Sequence, residues 1–145
     1  GNDDVFQNSV YDDIVRGGAG NDDFTAVYNN SYSGGVDAMY GGAGNDTFRF
    51  DTGDISWTAV GGGDTIFDFQ GAGKYGGGTA DNDFIQFYGY DKATAYLTYV
   101  SNSAPQPNLQ YYKVGDASGW SWLSIKIAVG ESATPHLGSM DYHFY

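Results

Sequence analysis

A six-residue sequence, Gly-Gly-Ala-Gly-Asn-Asp, occurs twice in this chain, at residues 17–22 and 41–46. In both copies one residue separates the Asp from a phenylalanine, Phe24 or Phe48, so the repeating unit is a nonapeptide, G-G-x-G-x-D-x-U-x, with U apolar. The flexible positions allow a turn so tight that several backbone carbonyls point toward one spot. The Asp adds a carboxylate there, and the following residues form a short strand whose U side chain faces inward.

Such a turn suits a hard cation that takes about six to eight oxygen ligands, and Ca²⁺ is the natural candidate. Glycine, asparagine and aspartate are also the ordinary residues of tight turns, which would explain a single isolated copy. Two identical hexamers with five partial copies in register favour calcium sites instead.

The five partial copies are weaker. The chain begins with the second half of a repeat, with Asp3 as carboxylate and Val5 as apolar residue, and we expect it to be a piece of a longer array. The other copies cover residues 7–15, 32–40, 61–66 and 83–85, where we place in register Asp12 and Ile14, then Gly35, Asp37 and Met39, then Gly62, Asp64 and Ile66, and finally Asp83 and Ile85.

Successive nonapeptides in such an array turn at opposite edges. The copies with Asp3, Asp22 and Asp46 keep the Gly-Asn-Asp sequence, whereas the copies with Asp12 and Asp37 do not. We therefore expect a row of calcium ions along one edge, bridging Asp3 with Asp22 and Asp22 with Asp46, and a depleted opposite edge where Asp64 restores a site. The predicted metal-binding residues are Asp3, Gly17, Gly18, Ala19, Gly20, Asp22, Gly35, Asp37, Gly41, Gly42, Ala43, Gly44, Asp46, Gly62, Asp64 and Asp83.

These repeats resemble those of the repeats-in-toxin (RTX) family of secreted bacterial calcium-binding proteins. Residues 64–69 (D-x-I-x-D-F) and 83–87 (D-x-I-x-F) look like the segment that closes the repeats in secreted metalloproteases, lipases and alginate epimerases of this family. That resemblance implies a further calcium site made from some of Asp64, Asp68, Asp81 and Asp83. The insertion at residues 74–80 departs from the family's compact spacing.

Composition agrees with an all-β class, since the 145 residues include 23 Gly, which suits turns, and 17% aromatic residues, which suit pleated surfaces. The net charge of −12, with six Lys and Arg, argues against a nucleic-acid partner, because neutralising phosphates needs cationic side chains. The absence of Cys excludes disulfides and zinc–thiolate sites. No apolar run reaches transmembrane length, and we expect a monomer without membrane insertion.

Longer strands of antiparallel type are predicted in the second half, at residues 94–101, 109–114, 120–129 and 142–145. In the third of these the apolar positions shift from Trp120 and Trp122 to Ile125 and Ile127, which indicates a bulge near residues 123–124. We expect a right-handed parallel β-roll of nonapeptide repeats at residues 1–88, closed by a C-terminal antiparallel β cap at residues 89–145.

The resulting functional hypothesis is a non-catalytic module that folds on extracellular Ca²⁺, because the acidic turns repel one another until several ions neutralise them. The resemblance implies a secreted protein, and the acidic and then mostly apolar residues 141–145 are typical of a C-terminal signal that a type I secretion exporter binds transiently. His136 and His143 stand in no catalytic motif, and Glu131 is the only Glu, so we expect any enzymatic activity to reside elsewhere in a larger protein.

A second hypothesis is a carbohydrate-binding or surface-adhesion module. Trp57, Trp120, Trp122 and Tyr111 would stack on sugar rings if two or more of them lay exposed in one plane. The acidic charge favours neutral sugars over a polyanion. The competing interpretation is that these rings form the core of the cap.

Overall fold

The computed structural model describes residues 1–7, 12–26, 37–55, 63–72, 82–106, 108–127 and 136–145. Within these ranges the chain forms eleven β-strands. They are β1 (Asp4–Gln7), β2 (Ile14–Ala19), β3 (Asp23–Ala26), β4 (Ala38–Ala43), β5 (Thr47–Asp51), β6 (Thr65–Phe69), β7 (Phe84–Tyr88), β8 (Tyr96–Asn102), β9 (Leu109–Asp116), β10 (Gly119–Ile127) and β11 (Tyr142–Phe144). A helix capable of spanning a membrane is not found in the described part of the chain.

The strands form two sheets. The first is parallel throughout, in the order β1-β3-β5-β7-β11. The second is mixed, in the order β2-β4-β6-β10-β9-β8. Its first four strands pair in parallel, and the β9 strand runs antiparallel to both of its neighbours. From β1 to β7 the chain therefore alternates between the sheets, as the two-edge interpretation of the repeats predicts.

The predicted fold class, a right-handed parallel β-roll closed by a separate antiparallel cap, is wrong. The strands β8 to β10 continue the sheet of β2, β4 and β6, which makes that sheet mixed. The strand at residues 142–144, predicted to be antiparallel, pairs in parallel with β7. The physical reason is that β6 and β7 present unpaired backbone edges, and later strands with a matching apolar face satisfy them directly.

One hydrophobic core lies between the sheets. Every second side chain of a strand points into this core. On β5, Phe48 and Phe50 are fully buried, while Arg49 between them points outward. The Phe48 ring stacks on Phe24 of β3 at a centroid distance of 4.8 Å. The second half supplies Tyr112, Val114, Leu123, Ile125 and Ile127 to the same core. Each sheet thus contains strands from before and after residue 88, where a domain boundary was predicted. The division into two domains stays a prediction.

The predicted register of residues 7–15 is wrong by one position. Ile14 pairs with Ala38 and Val15 with Met39, so Val15 occupies the apolar position of this copy. Ile14 is 65% exposed, whereas Val15 packs against the core. Two adjacent acidic residues followed by two adjacent apolar residues make the copy compatible with either register, and the pairing with β4 selects one.

The bulge expected near residues 123–124 is also misplaced. The pairing of β10 with β9 is continuous through these residues, and the register shift lies between Ile125 and Ile127 against β6. Trp120 and Trp122 lie instead on the outer face, next to Lys113, and Ile125 and Ile127 on the core face. A change of face explains the apolar pattern without a bulge.

Paired substitutions test this register. Val15→Ala removes core contacts and should lower the free energy of unfolding by about 1 kcal/mol. Ile14→Ala changes an exposed side chain and should alter it by less than about 0.5 kcal/mol. Denaturant unfolding of both variants in one buffer measures the difference. A larger loss for Ile14→Ala would contradict the register.

Candidate metal-binding turns

A row of aspartates runs along the edge where β1, β3, β5 and β7 begin. The backbone N–H of Asp3 donates to Oδ1 of Asp22 (2.8 Å), that of Asp22 to Oδ1 of Asp46 (2.9 Å), and that of Asp46 to Oδ1 of Asp83 (3.0 Å). We call these four residues the first row. Asp22, Asp46 and Asp83 are buried. The structure thus brings together all four carboxylates that the consensus copies and residue 83 supply.

An asparagine precedes each aspartate of the first row and forms hydrogen bonds of the opposite sense. The N–H of Asn21 donates to Oδ1 of Asn2 (2.9 Å), that of Asn45 to Oδ1 of Asn21 (3.0 Å), and that of Asn82 to Oδ1 of Asn45 (2.7 Å). This Asn row was missed in the sequence analysis, although its signal, Asn before Asp at every copy of one edge, is visible in the sequence. Consecutive turns are therefore joined in both directions.

The hexamers form the crossings between the sheets. Gly17, Gly18 and Ala19 are the last residues of β2, and β3 begins four residues later at Asp23; the second hexamer connects β4 to β5 in the same way. A Cβ atom on Gly17 would lie 2.4 Å from Oδ2 of Asp22, and one on Gly41 would lie 2.3 Å from Oδ2 of Asp46. The first position of each hexamer must therefore be glycine, because a side chain there would collide with the aspartate carboxylate of the same hexamer.

The remaining hexamer positions hold neighbouring turns together. Gly20 and Gly44 have positive φ angles of 125° and 135°, and a Cβ atom on Gly44 would lie 1.9 Å from the carbonyl oxygen of Gly20. The carbonyl of Ala43 accepts a hydrogen bond from the N–H of Gly20 (2.8 Å). Gly18 and Gly42 pair in register. The carbonyl of Ala43, which was predicted to bind a cation, therefore also accepts a backbone hydrogen bond between turns.

A second row lies on the opposite edge. The N–H of Asp13 donates to Oδ1 of Asp37 (3.0 Å), and that of Asp37 to Oδ1 of Asp64 (3.0 Å). Asp13 takes the place that was predicted for Asp12. This edge therefore keeps its carboxylates, in contrast to the predicted depletion, and differs from the first in having no asparagine before these aspartates. Gly35 and Gly62 lie outside the described residues.

Asp68 joins the first row from the side. It has a left-handed backbone (φ 57°), which aspartate tolerates better than most residues, and its Oδ1 accepts the N–H of Gly41 (3.1 Å). Oδ2 of Asp83 accepts the N–H of Gln70 (2.9 Å), and Nε2 of Gln70 donates to the carbonyl of Gly42 (2.9 Å). Asp68 and Asp83 are two of the residues that the family resemblance implies; Asp81 lies outside the described residues.

The buried carboxylates resist ionisation. Burial raises the pKa of Asp83 to about 8, and the charges of Asp46 and Asp68 act in the same direction. Burial likewise raises the pKa of Asp64 to about 7, with Asp37 and Asp54 adding to the effect, and that of Asp68 to about 6. Backbone hydrogen bonds oppose these shifts but do not cancel them. At neutral pH Asp83 therefore needs a proton or another cation, and Asp64 is divided between its protonated and ionised forms.

The buried oxygens in this region that accept no hydrogen bond from the described residues include Oδ2 of Asp22, Oε1 of Gln70 and Oδ1 of Asn82. Buried acceptors without donors are costly, and a cation that prefers oxygen ligands would satisfy them. Side chains alone do not form a complete site, because no three acidic or imidazole groups of the described residues are close enough to hold a metal ion. Amide and backbone oxygens would have to complete it.

The other predicted functional residues do not converge. His136 stacks on Tyr99 at a centroid distance of 3.6 Å, and His143 is exposed beside Tyr145. The rings of Trp120 and Trp122 stand at 90°, and Trp122 is only 9% exposed, so these two do not share an exposed plane. Trp57 and Glu131 lie outside the described residues.

Comparison with known proteins adds no identification. No protein-family model matches the sequence, and no curated protein matches it.

Substituting the first glycine of a hexamer tests the crowding of the turn. Gly41→Ala should destabilise the protein by about 2 kcal/mol or more, because its Cβ would displace the carboxylate of Asp46. Gly138→Ala is the matched control, since the nearest atom to its Cβ is 3.8 Å away. Thermal unfolding compares the two variants. Equal melting temperatures would contradict the geometry of the turn.

The raised pKa values predict the pH dependence of the metal-free protein. The stabilisation from protonated Asp64 and Asp83 is complete below the unfolded pKa of 3.8 and is lost as pH rises through about 7 and about 8. In excess chelator the melting temperature should therefore be highest in acid and fall as the pH rises from about 4 to about 8. Asp64→Asn, which keeps an acceptor for the N–H of Asp37, should flatten this dependence. A melting temperature that rises over this range would contradict the assignment.

Proposed function

We propose that this chain is a non-catalytic, calcium-dependent module of the RTX type, in which several Ca²⁺ ions neutralise the aspartate rows and complete the fold. The observation that carries the proposal is the first row. Asp22, Asp46 and Asp83 are buried, and each is fixed by a backbone N–H from the preceding turn. Hydrogen bonds of this kind position a carboxylate but leave most of its charge to be compensated.

The protein has few cations of its own for that compensation. The net charge is −12, with six Lys and Arg in all. Within the described ranges the single ion pair joins Arg49 to Asp51, away from both rows. A divalent cation from solution would supply the missing charge. On the first edge each such ion would lie between two of the carboxylates of Asp22, Asp46, Asp68 and Asp83, and amide oxygens of Gln70 and Asn82 and backbone carbonyls would complete its ligands.

The affinity of such sites for Ca²⁺ would make folding depend on the calcium concentration around the chain. Extracellular calcium modules bind with dissociation constants of about 10⁻⁴–10⁻³ M, well above the free calcium of a cell interior. We propose that the chain stays unfolded inside the cell, is exported by a type I secretion exporter and folds outside. The C-terminal segment supports this order, because residues 142–144 form β11 in the folded parallel sheet, so an exporter would have to bind them before folding.

A calcium titration tests the proposal. Ca²⁺ should raise the melting temperature of the full chain, by an amount corresponding to about 2.7 kcal/mol per site when the ion is at about 100 times its dissociation constant. A chelator should reverse the shift and, near neutral pH, leave the chain largely unfolded. Asp22→Asn and Asp46→Asn should each reduce it, because they keep a hydrogen-bond acceptor but remove the charge.

Asp12→Asn is the matched control, since Asp12 is exposed and belongs to neither row. It should leave the calcium-induced shift unchanged, and isothermal titration calorimetry should give the same number of ions as in the native chain. The proposal fails if Ca²⁺ leaves unfolding unchanged, or if Asp12→Asn and Asp46→Asn have equal effects.

A further inference from the structure

The outer face of the mixed sheet differs in charge from the rest of the chain. We call this surface, formed by the outward side chains of β2, β4, β6, β10, β9 and β8, the cationic face. It carries Arg16, Lys113 and Lys126, which are half of the six cationic side chains in a chain of net charge −12. The few cations of this acidic protein are therefore concentrated on one surface.

The carboxylates of these six strands are bonded elsewhere. Their sequences contain two acidic residues, Asp68 and Asp116. Asp68 accepts the N–H of Gly41, and Asp116 accepts the N–H groups of Asp91 and Ser118. Neither carboxylate forms an ion pair with a cation of this face within the described ranges.

Four side chains form a ladder across the first half of the cationic face. Cζ of Arg16 lies 4.7 Å from the ring centroid of Tyr40, and Tyr40 stacks on Phe67 with the centroids 4.8 Å apart. Nζ of Lys126 lies 5.6 Å from the centroid of Phe67. Because β2 and β10 flank β4 and β6, the two cations cover the ring faces at the ends of the ladder. The ring edges, which carry the positive part of the quadrupole, are left for solvent.

A similar ladder on the parallel sheet has its charge paired. Arg49 lies over the ring of Tyr88 at 4.2 Å, and Tyr88 stacks on Tyr145 with the centroids 4.8 Å apart. There Nε of Arg49 also donates to Oδ1 of Asp51 (3.0 Å). A cation–ring ladder is thus compatible with a neighbouring carboxylate, and on the cationic face that carboxylate is missing among the described residues.

The cationic face also exposes apolar side chains. The described residues expose five large apolar side chains, and three of them lie here: Ile14 (65% exposed), Val100 (44%) and Trp120 (43%). Trp120 packs beside Lys113, and Val100 follows Tyr99, which packs against the core. A soluble polyanion would contact the cations alone. Cations together with exposed aliphatic and indole side chains are typical of surfaces that lie in the interface of an anionic bilayer.

The other carboxylates act only weakly at this face. The parallel sheet lies about 10 Å behind the mixed sheet, as in other face-to-face packings. The Debye length is about 8 Å at physiological ionic strength, so charges on the far side are largely screened. An anionic surface in contact with the cationic face therefore interacts mainly with its three cations.

We propose that the cationic face binds the surface of a bilayer that contains anionic phospholipids. Arg16, Lys113 and Lys126 contact the phosphates, and Ile14 and Trp120 lie between the headgroups. This contact is peripheral and needs no segment that spans the membrane. It uses no aspartate of either row, so it is independent of the proposed calcium sites.

Flotation of the full chain with lipid vesicles tests the proposal, in a calcium-containing buffer in which circular dichroism shows the chain to be folded. One set of vesicles is phosphatidylcholine, and the other is phosphatidylcholine with phosphatidylserine at about two to one. The chain should bind the mixed vesicles about tenfold more tightly or better, and added salt should weaken this binding. Arg16→Gln and Lys126→Gln should each weaken it about fivefold.

Arg49→Gln is the matched control, because it removes the same charge from the opposite sheet and should retain binding within about twofold. Ile14→Ser changes an exposed side chain and should weaken binding several-fold through lost apolar contact.

The proposal is overturned if the mixed vesicles do not bind, if neutral vesicles bind equally well, or if Arg49→Gln weakens binding as much as Arg16→Gln. Binding that survives in both Arg16→Gln and Lys126→Gln would mean that calcium bridges protein carboxylates to lipid, and it also overturns the proposal. So does binding of soluble polyglutamate in place of vesicles.

Discussion

The hydrogen bond from the backbone N–H of one aspartate to Oδ1 of the next is the interaction on which the rest of the structure depends. It repeats along both edges, from Asp3 to Asp83 and from Asp13 to Asp64. Each bond holds two turns together and at the same time buries a carboxylate. The chain thus gains a regular spacing between turns and buries carboxylates whose charge has to be compensated.

These bonds also set the register of both sheets. The residue after an aspartate donates its N–H to the carbonyl of the aspartate one turn away, as Thr47 does to Asp22 and Thr65 does to Asp37. Ser124 of β10, which follows a leucine, makes the same bond to Asp64. In the mixed sheet the row ends at Asp64, because the position opposite it on β10 is Leu123, a fully buried apolar residue. The antiparallel strands therefore join the sheet where the carboxylates stop, through the same backbone bond.

The positions of the turns could be predicted because two identical hexamers set the spacing of Phe24 and Phe48 and place both side chains on the same face of their sheet. The sequence-based prediction failed at residues 12–15, where neighbouring residues of the same character fit two registers and only pairing with β4 decides. It also failed for the C-terminal strands, whose extents it predicted within a few residues but whose partners it did not. Pairing of β10 with β6 joins segments far apart in the chain, and no local pattern encodes it. Gln70 and Asn82 were missed because nothing in a single amide residue indicates that its oxygen will be buried without a donor.

The two edges differ in how far they are organised without a cation. On the first edge each pair of turns is held by an Asp bond and an Asn bond of opposite sense, whereas the described residues of the second edge show the Asp bond without an Asn bond beside it. Protons neutralise the carboxylates that the proposed calcium ions would neutralise, so acid should stabilise in the metal-free chain what calcium would stabilise near neutral pH. The Asn row carries no charge and is insensitive to either. It would therefore keep the turns of the first edge aligned whether Asp83 holds a proton or faces one of the proposed metal ions.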